Sequence, residues 1–321
     1  MKTGKVLFVL VGMGIVLSLA TFSPLRVHAA VRNVTKVSAV KPHGIVNGTT
    51  FYGMSATYCA SLVPGDIPSF FYAYLGTDYH LNLVEEGPIL STTTTFTDTS
   101  LNEPAIGCFQ NRVYVAFTGQ SSPHSLGIGY AVNRSSTLAN RVTIPAQSSP
   151  SRPALAVHNN VLYAAWRSDQ NVMTIEESGN GTSWVRRTVI NHDRTFFGPS
   201  LAEYNGSLWV AFVGMDNGNE GHINFATYSD GNINLGNRQV ASDYAASSLG
   251  FDVYNNALNF AFRGAGGGGV TQVYTGSWLP NLGYTRNGAF SGANTYVGVA
   301  LQGGQCYFTG TDGHINQVTF S

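Results

Sequence analysis

A pattern of about 47 residues recurs along the chain and constrains its fold more than any other feature of the sequence. Each copy has a short apolar segment, a turn with Asn or Gly, and a second apolar segment that ends in an aromatic residue. The terminal aromatics, separated by 43, 49, 46, 50 and 46 residues, are Tyr74, Phe117, Trp166, Phe212, Phe262 and Phe308. Alternating apolar and polar residues between closely spaced turns favour strands over helices. The repeat therefore predicts an all-β fold.

Four short strands in each unit of this length are typical of a β-propeller blade. A lone four-stranded sheet leaves both faces uncovered, so we expect the blades to pack on one another around an axis. The terminal aromatics should fill the layers between blades, and the small Ala and Gly residues of the innermost strands suit the crowded axis. We predict a single β-propeller of six four-stranded blades. Seven blades are the alternative if residues 41–60 form an extra, irregular blade.

The two ends of the repeat array predict how the ring closes. The sixth unit ends after its third strand, at Ser321, whereas Val31–Val40 precedes the first unit and has the composition of a strand. We expect this N-terminal segment to supply the missing outer strand, which would remove an exposed sheet edge. No low-complexity linker divides residues 30–321, so one propeller domain is predicted there.

The first 29 residues have the features of a secretory signal peptide. Lys2 and Lys5 precede an apolar run, Val6–Ala20, that is too short to span a bilayer comfortably. Small residues in Val27–Ala29 favour cleavage near Ala29. We therefore predict a secreted protein that does not insert into a membrane after cleavage.

Charge and motif content exclude several classes of function. The chain has 17 basic and 17 acidic residues, and only 11% of its residues are charged. Loss of the leader would remove three basic residues and leave a mildly acidic protein, which is a poor partner for nucleic acid or anionic membranes. The sequence has no clustered His and Cys set typical of a metal site and no esterase-type Gly-x-Ser-x-Gly motif. We predict no metal and no cofactor.

The three cysteines, Cys59, Cys108 and Cys306, allow one disulfide and leave one thiol. Buried, unpaired cysteines are equally consistent with the sequence, so the pairing stays open at this point.

One polar constellation recurs and is the main candidate for a ligand site. A turn Asp precedes a His-x-Asn sequence in units one, four and six: Asp78, His80 and Asn82; Asp216, His222 and Asn224; Asp312, His314 and Asn316. Because residues two apart in a strand share a face, the His and Asn side chains could together bind sugar hydroxyls. The alternative is structural: the Asp caps its own turn, and His and Asn bond to neighbouring backbone.

Trp166 and Arg167 form a second candidate pair. An indole ring beside a guanidinium suits a sugar ligand, but a Trp at this position of the repeat could equally belong to the layer between two blades.

The third unit carries a resemblance to known propellers. Pro153 to Trp166 is followed by Asp169 and then by Ser178–Trp184, which looks like a degenerate Asp-box hairpin in which Asn180 replaces the Asp. This stretch resembles secreted bacterial propellers of the sialidase-like and fucose-lectin-like kinds. The resemblance implies a propeller fold and a carbohydrate ligand. The Arg-Ile-Pro phrase of sialidases is missing.

The leading hypothesis is a secreted, lectin-like propeller that binds glycans or glycoconjugates and has no catalytic activity. A sialidase-like glycoside hydrolase is one alternative. The adjacent carboxylates Glu85–Glu86 and Glu176–Glu177 would point to opposite faces of a regular strand, which does not suit paired catalysis. A propeller scaffold that binds other proteins is the third.

Overall fold

The computed structural model shows twenty-five β-strands and one short 3₁₀-helix, Leu235–Asn237, in the described residues. These residues are 41–42, 50, 52–62, 67–87, 91–120, 124–215, 218, 220–265 and 271–319. The predicted signal peptide at residues 1–29 and the predicted strand Val31–Val40 lie outside them. Within the described ranges, no helix is long and apolar enough for a membrane crossing.

The strands form six antiparallel sheets, which we number as blades 1 to 6 in chain order. The inner strands are Met54–Cys59, Ala105–Phe109, Ala154–His158, Ser200–Tyr204, Gly250–Tyr254 and Val299–Gln302. The second strands are Ser69–Leu75, Arg112–Thr118, Val161–Arg167, Ser207–Val213, Ala257–Arg263 and Gln305–Thr309. The third strands are His80–Glu86, Ser125–Tyr130, Val172–Ser178, His222–Ser229, Gln272–Leu279 and Ile315–Thr319. The outer strands of blades 1, 2, 3 and 5 are Ser91–Thr99, Ala139–Ser148, Val185–Arg194 and Gly283–Asn294.

The outer strands of the other two blades are unusual. In blade 4, two segments, Asn232–Ile233 and Gln239–Tyr244, both pair with the third strand. In blade 6, Lys41–Pro42 pairs antiparallel with Ile315–Thr319, so residues from before blade 1 complete the last sheet. The predicted six-bladed propeller is therefore confirmed, and chain that precedes blade 1 closes it through Lys41–Pro42. Whether Val31–Val40 takes part, as predicted, stays a prediction.

Tight turns between inner and second strands explain the Asn-rich signature of the repeat. Both central residues have positive φ in the hairpins at Gln110–Asn111, Asn159–Asn160, Asn205–Gly206, Asn255–Asn256 and Gly303–Gly304. This conformation matches the right-handed twist of antiparallel strands, and Asn and Gly adopt it at the lowest cost. The turn residues thus fix the register of each hairpin.

The apolar core is divided into six layers, each built from two neighbouring blades. Every terminal aromatic lies in the layer between its own blade and the preceding one, and none is more than 2% exposed. Phe117, for example, packs with Phe71 and Leu83 of blade 1, and Tyr74 packs with Tyr307 of blade 6. The predicted role of these aromatics is confirmed.

The innermost strands meet around a narrow axial cavity of about 220 Å³. Small residues face the crowded layers near the axis, as predicted: Ser55, Ala105, Ala154, Ser200, Gly250 and Ala300. Among the described residues each inner strand is the edge of its sheet, so one row of its backbone groups has no strand partner there. The wall of the cavity is therefore polar even where its side chains are small.

Arg152 crosses this axis. It precedes the inner strand of blade 3, yet its Nη1 donates to Met54 O of blade 1 at 3.3 Å and to Val299 O of blade 6 at 3.1 Å. Its Nη2 donates to Leu249 O, beside blade 5, at 2.8 Å. One guanidinium therefore ties four blades together at one end of the axis.

A disulfide joins the inner strands of blades 1 and 2. Cys59 is bonded to Cys108, and Cys306 is a buried free thiol. This settles the pairing that the sequence left open. The bond crosses the layer that contains Phe71 and Phe117, so it reinforces one of the six contacts of the ring.

Reduction of this disulfide is expected to lower the free energy of unfolding by about 4 kcal/mol, because the bond closes a loop of 49 residues in the unfolded chain. Urea denaturation with and without dithiothreitol measures the effect. A Cys59→Ala/Cys108→Ala variant is the control and should not respond to the reductant. Equal stability of the reduced and oxidised protein would contradict the expectation.

Candidate functional site

The Asp residues of the recurring constellation cap their own turns. Asp78 Oδ1 accepts a hydrogen bond from the backbone N–H of His80 at 3.2 Å. Asp312 does the same for His314 at 3.1 Å. Asp216 lies outside the described residues. The two described Asp side chains therefore have the structural role that the sequence allowed as an alternative.

The Asn residues also bond to backbone. The Nδ2 atoms of Asn82, Asn224 and Asn316 donate to the carbonyl of the His two residues earlier at 3.0, 3.0 and 2.9 Å. Asn224 is fully buried, and its Oδ1 accepts from Arg238 Nη2 at 2.8 Å. Each amide therefore uses one of its N–H groups to stabilise the backbone at the start of the third strand.

The His side chains hold a bulge in the outer strand. His80 Nδ1 donates to Phe96 O and His222 Nδ1 donates to Ala241 O, both at 3.0 Å. The register of the outer strand shifts at these points in blades 1 and 4. In blade 5 Gln272 takes the same place and donates to Phe290 O at 3.4 Å. His314 of blade 6 is exposed.

The bulges aim acidic side chains at the next blade, as bulges commonly do near binding sites. In three blades an Asp of the bulge forms an ion pair with an Arg that lies on, or immediately before, the outer strand of the following blade. The pairs are Asp98–Arg141 at 2.5 Å, Asp193–Arg238 at 2.5 Å and Asp243–Arg286 at 3.3 Å. The same arginines lie over the rings of Phe117, Phe212 and Tyr274 at 5.3, 5.6 and 4.4 Å.

The sequence interpretation did not identify these pairs, although a signal was present. Each Asp is followed by its Arg after 43 to 45 residues, which is about one repeat. A fourth arginine, Arg187, has the equivalent position in blade 3 but pairs within its own blade, with Glu176 at 2.5 Å. A search for charges at the period of the repeat would have found all four arginines.

The third pair lies in an open cleft of about 200 Å³ between blades 4 and 5. Blade 4 contributes Ser242, Asp243 and Tyr244 from its bulge. Blade 5 contributes a wall that consists of Phe262, Gly264, Ala265, Tyr274 and Arg286. Gly264 is needed because a Cβ there would lie 2.5 Å from the Tyr274 ring.

Charge and hydroxyl groups in this cleft are held in place by burial. Asp243 is buried and accepts a hydrogen bond from Tyr284 Oη at 2.7 Å. Burial raises the pKa of the Tyr284 hydroxyl, and the hydrogen bond to the negatively charged Asp243 raises it further. The hydroxyl therefore stays protonated and donates to Asp243. Arg286 is half exposed, and among the described residues its one ion-pair partner is Asp243. Several N–H groups of this guanidinium are thus available to a ligand.

Tyr244 supplies an aromatic surface at the mouth of the cleft. Its side chain is 50% exposed, and its ring lies 3.9 Å from the His222 ring, centroid to centroid. His222 therefore stabilises this side of the cleft in two ways. It donates to the bulge carbonyl of Ala241, and its ring packs against the ring of Tyr244.

The second sequence candidate pair lies elsewhere. Trp166 is fully buried in the layer between blades 2 and 3, which leaves its indole without an exposed face for a ligand. Arg167 Nη1 donates to Asn171 Oδ1 in its own hairpin at 2.6 Å. Burial lowers the pKa of Arg167, and the charge of Asp169 opposes this change.

The Asp-box-like turn and the paired carboxylates have local partners. Asn180 Oδ1 accepts from the N–H groups of Thr182 and Ser183 at 2.9 and 2.8 Å, which stabilises the turn of blade 3. Glu85 accepts from Ser61 Oγ at 2.6 Å. In the part of the chain that the structure describes, no three His, Cys, Asp or Glu residues are grouped as a metal site would require.

Comparisons with known proteins give a likeness of fold. No protein-family model matches the sequence, and no curated protein sequence matches it significantly. The SapL1 lectin in complex with α-methyl fucoside superposes with a TM-score of 0.58 at 10% identity, over 85% of this chain and 94% of that chain. AofleA from Arthrobotrys oligospora gives a TM-score of 0.54 at 10% identity, over 85% and 80% of the two chains.

A variant of the Aleuria aurantia lectin in complex with α-methyl-L-fucoside gives a TM-score of 0.51 at 12% identity, over 74% of this chain and 77% of that chain. Another structure of this lectin is described as a six-bladed β-propeller. At these identities the comparisons establish a shared fold.

Two matched Asn variants test the structural role of the constellation. Asn224→Ala should lower the free energy of unfolding by about 2 to 3 kcal/mol, because it removes a buried amide that bonds to backbone and to a charged guanidinium. Asn316→Ala, which removes one bond at a more exposed position, should cost about 1 kcal/mol or less. Chemical denaturation measures both. Equal costs would contradict the assignment.

Proposed function

We propose that this protein is a carbohydrate-binding, lectin-like propeller and that the cleft between blades 4 and 5 is a sugar-binding site. The observation that carries the proposal is the Arg286–Asp243 pair beside the exposed ring of Tyr244. A guanidinium donates and a carboxylate accepts, so together they complement the vicinal hydroxyls of a sugar. The aromatic ring offers a surface for the apolar C–H face of the same ligand.

The net charge of this cleft favours a neutral sugar. Arg286 and Asp243 cancel each other's charge, so an anionic sugar gains little from the guanidinium. At about 200 Å³ the cleft has room for one monosaccharide unit, with the rest of a glycan extending into solvent.

The other two Asp–Arg pairs are less available to a ligand. Arg141 and Arg238 hold their carboxylates at 2.5 Å, and Arg238 also bonds to Asn224. A sugar would have to compete with these short charge-assisted bonds. We therefore expect the cleft between blades 4 and 5 to be the strongest of the three.

The solved structures with the same fold support the choice of ligand class. Lectins from this group are described in complexes with α-methyl fucoside. Neutral deoxyhexoses are therefore the first sugars to test. Secretion, which the N-terminal residues predict, would bring such a protein into contact with cell-surface and extracellular glycans.

A glycan array with the purified protein tests the proposed function, and a tyrosine pair tests its site. Tyr244→Ala should weaken binding of the selected glycan by about tenfold, since it removes the aromatic surface of the cleft. Tyr296→Ala is the matched control, because this tyrosine is 64% exposed and outside the cleft. Arg286→Gln should also weaken binding, whereas Arg141→Gln should not.

Failure to bind any glycan at high protein density would refute the function and favour a protein-binding scaffold. Binding that survives both Tyr244→Ala and Arg286→Gln would keep the function and refute this site.

The contacts of His222 with the bulge and with Tyr244 give a separate prediction. His222→Ala should weaken sugar binding severalfold because the bulge carbonyl and Tyr244 both lose their partner. His222→Gln should retain most of the binding, since Gln272 makes the equivalent bond in blade 5. His314→Ala, at the matching position of blade 6, is the control. Isothermal titration calorimetry measures all three, and equal affinities for the two His222 variants would contradict this supporting role.

A further inference from the structure

The axial cavity contains a buried cation without a buried counter-charge. Arg152 is 7% exposed, and within the described residues no carboxylate lies within ion-pair distance of its guanidinium. Glu103 is the carboxylate whose charge raises its pKa, although burial has the larger effect and lowers it. Glu103 itself accepts a hydrogen bond from Gly53 N at 3.2 Å. Buried charges in proteins are normally compensated by a paired charge.

One nitrogen of this guanidinium, Nε, makes no hydrogen bond to the described residues. Nη1 and Nη2 donate to three backbone carbonyls, whereas the buried Nε has no acceptor among the described residues. A buried charged N–H without an acceptor is costly, so an acceptor from outside the chain would be stabilising.

A cavity of suitable size and lining adjoins Arg152. The axial space of about 220 Å³ is bounded by all six inner strands. Because a water molecule takes up about 30 Å³ of liquid, the space has room for a small ion with several waters. The unpaired edges of the inner strands supply N–H groups of the kind that bind anions in backbone concavities.

We propose that the axial cavity binds one small monovalent anion, such as chloride or a short carboxylate, beside Nε of Arg152. The anion would compensate the guanidinium charge and accept its free N–H. It would also strengthen the point at which blades 1, 3, 5 and 6 are tied together. The proposal is independent of sugar binding.

Charged groups at the other end of the cavity define how binding should depend on pH. The ionisable side chains that line the cavity are Arg152, Glu203 and Asp252, with His158 beside Glu203 at 3.7 Å. Burial raises the pKa of Asp252 to about 6, against the hydrogen bond from Gly303 N, which lowers it. Protonation of Asp252 removes a negative charge from the cavity. Anion binding should therefore tighten as the pH falls from 7.5 to 5.5.

The test replaces gluconate, a much bulkier anion, with chloride at constant ionic strength and follows thermal unfolding of the full chain. Tm should rise by about 2 to 4 °C at roughly tenfold excess of chloride over its Kd. Crystals soaked in bromide should show one anomalous peak on the propeller axis. The peak should lie beside Arg152.

Two variants and a control complete the experiment. Arg152→Gln should abolish the chloride dependence, and Arg134→Gln, at an exposed arginine, should not change it. Asp252→Asn keeps Arg152 and an acceptor for Gly303, so it should fold, bind chloride more tightly at pH 7.5 and lose the pH dependence. Equal Tm values in chloride and gluconate for wild type and Asp252→Asn would overturn the proposal. Bromide only at surface arginines would overturn it as well.

Discussion

Packing of one blade against the next is the constraint on which the rest of this structure depends. A four-stranded sheet exposes two apolar faces, and in this fold a closed ring of such sheets covers them. The terminal aromatic of each second strand fills the layer toward the preceding blade, from Tyr74 to Phe308. Because each layer takes residues from two repeats, no single blade has a complete core. The axis, the bulges and the clefts all follow from this arrangement.

The fold could be predicted well from the sequence because it depends on patterns that lie within a single repeat. Aromatic spacing, Asn-rich turns and alternating strands lie within single repeats, and each needs only neighbours along the chain. Closure by chain that precedes blade 1 could also be expected, and in the described residues Lys41–Pro42 makes this pairing. The disulfide was different, since Cys59 and Cys108 could be paired only once blades 1 and 2 were placed side by side.

The candidate site was also harder to predict, because it depends on contacts between residues of different blades. The Asp-x-His-x-Asn pattern could be recognised in the sequence. Its Asp and Asn side chains, however, form hydrogen bonds with backbone atoms, and the pattern does not reveal these bonds. His80 and His222 act by holding a bulge, and the Asp of that bulge pairs with an Arg of the next blade. Trp166 shows the opposite case, in which a residue type suited to sugars is taken entirely by the core.

The outer-strand bulges separate two tasks that many binding proteins combine. Residues that hold the ring together lie in the layers, whereas the blade 4 side of the cleft, Ser242, Asp243 and Tyr244, lies on a short excursion of the outermost strand. His80, His222 and Gln272 hold equivalent excursions with different side chains. Each excursion can therefore diverge on its own during evolution, with no repacking of the aromatic layers. A single ring of this design can carry neighbouring recognition surfaces that differ in selectivity.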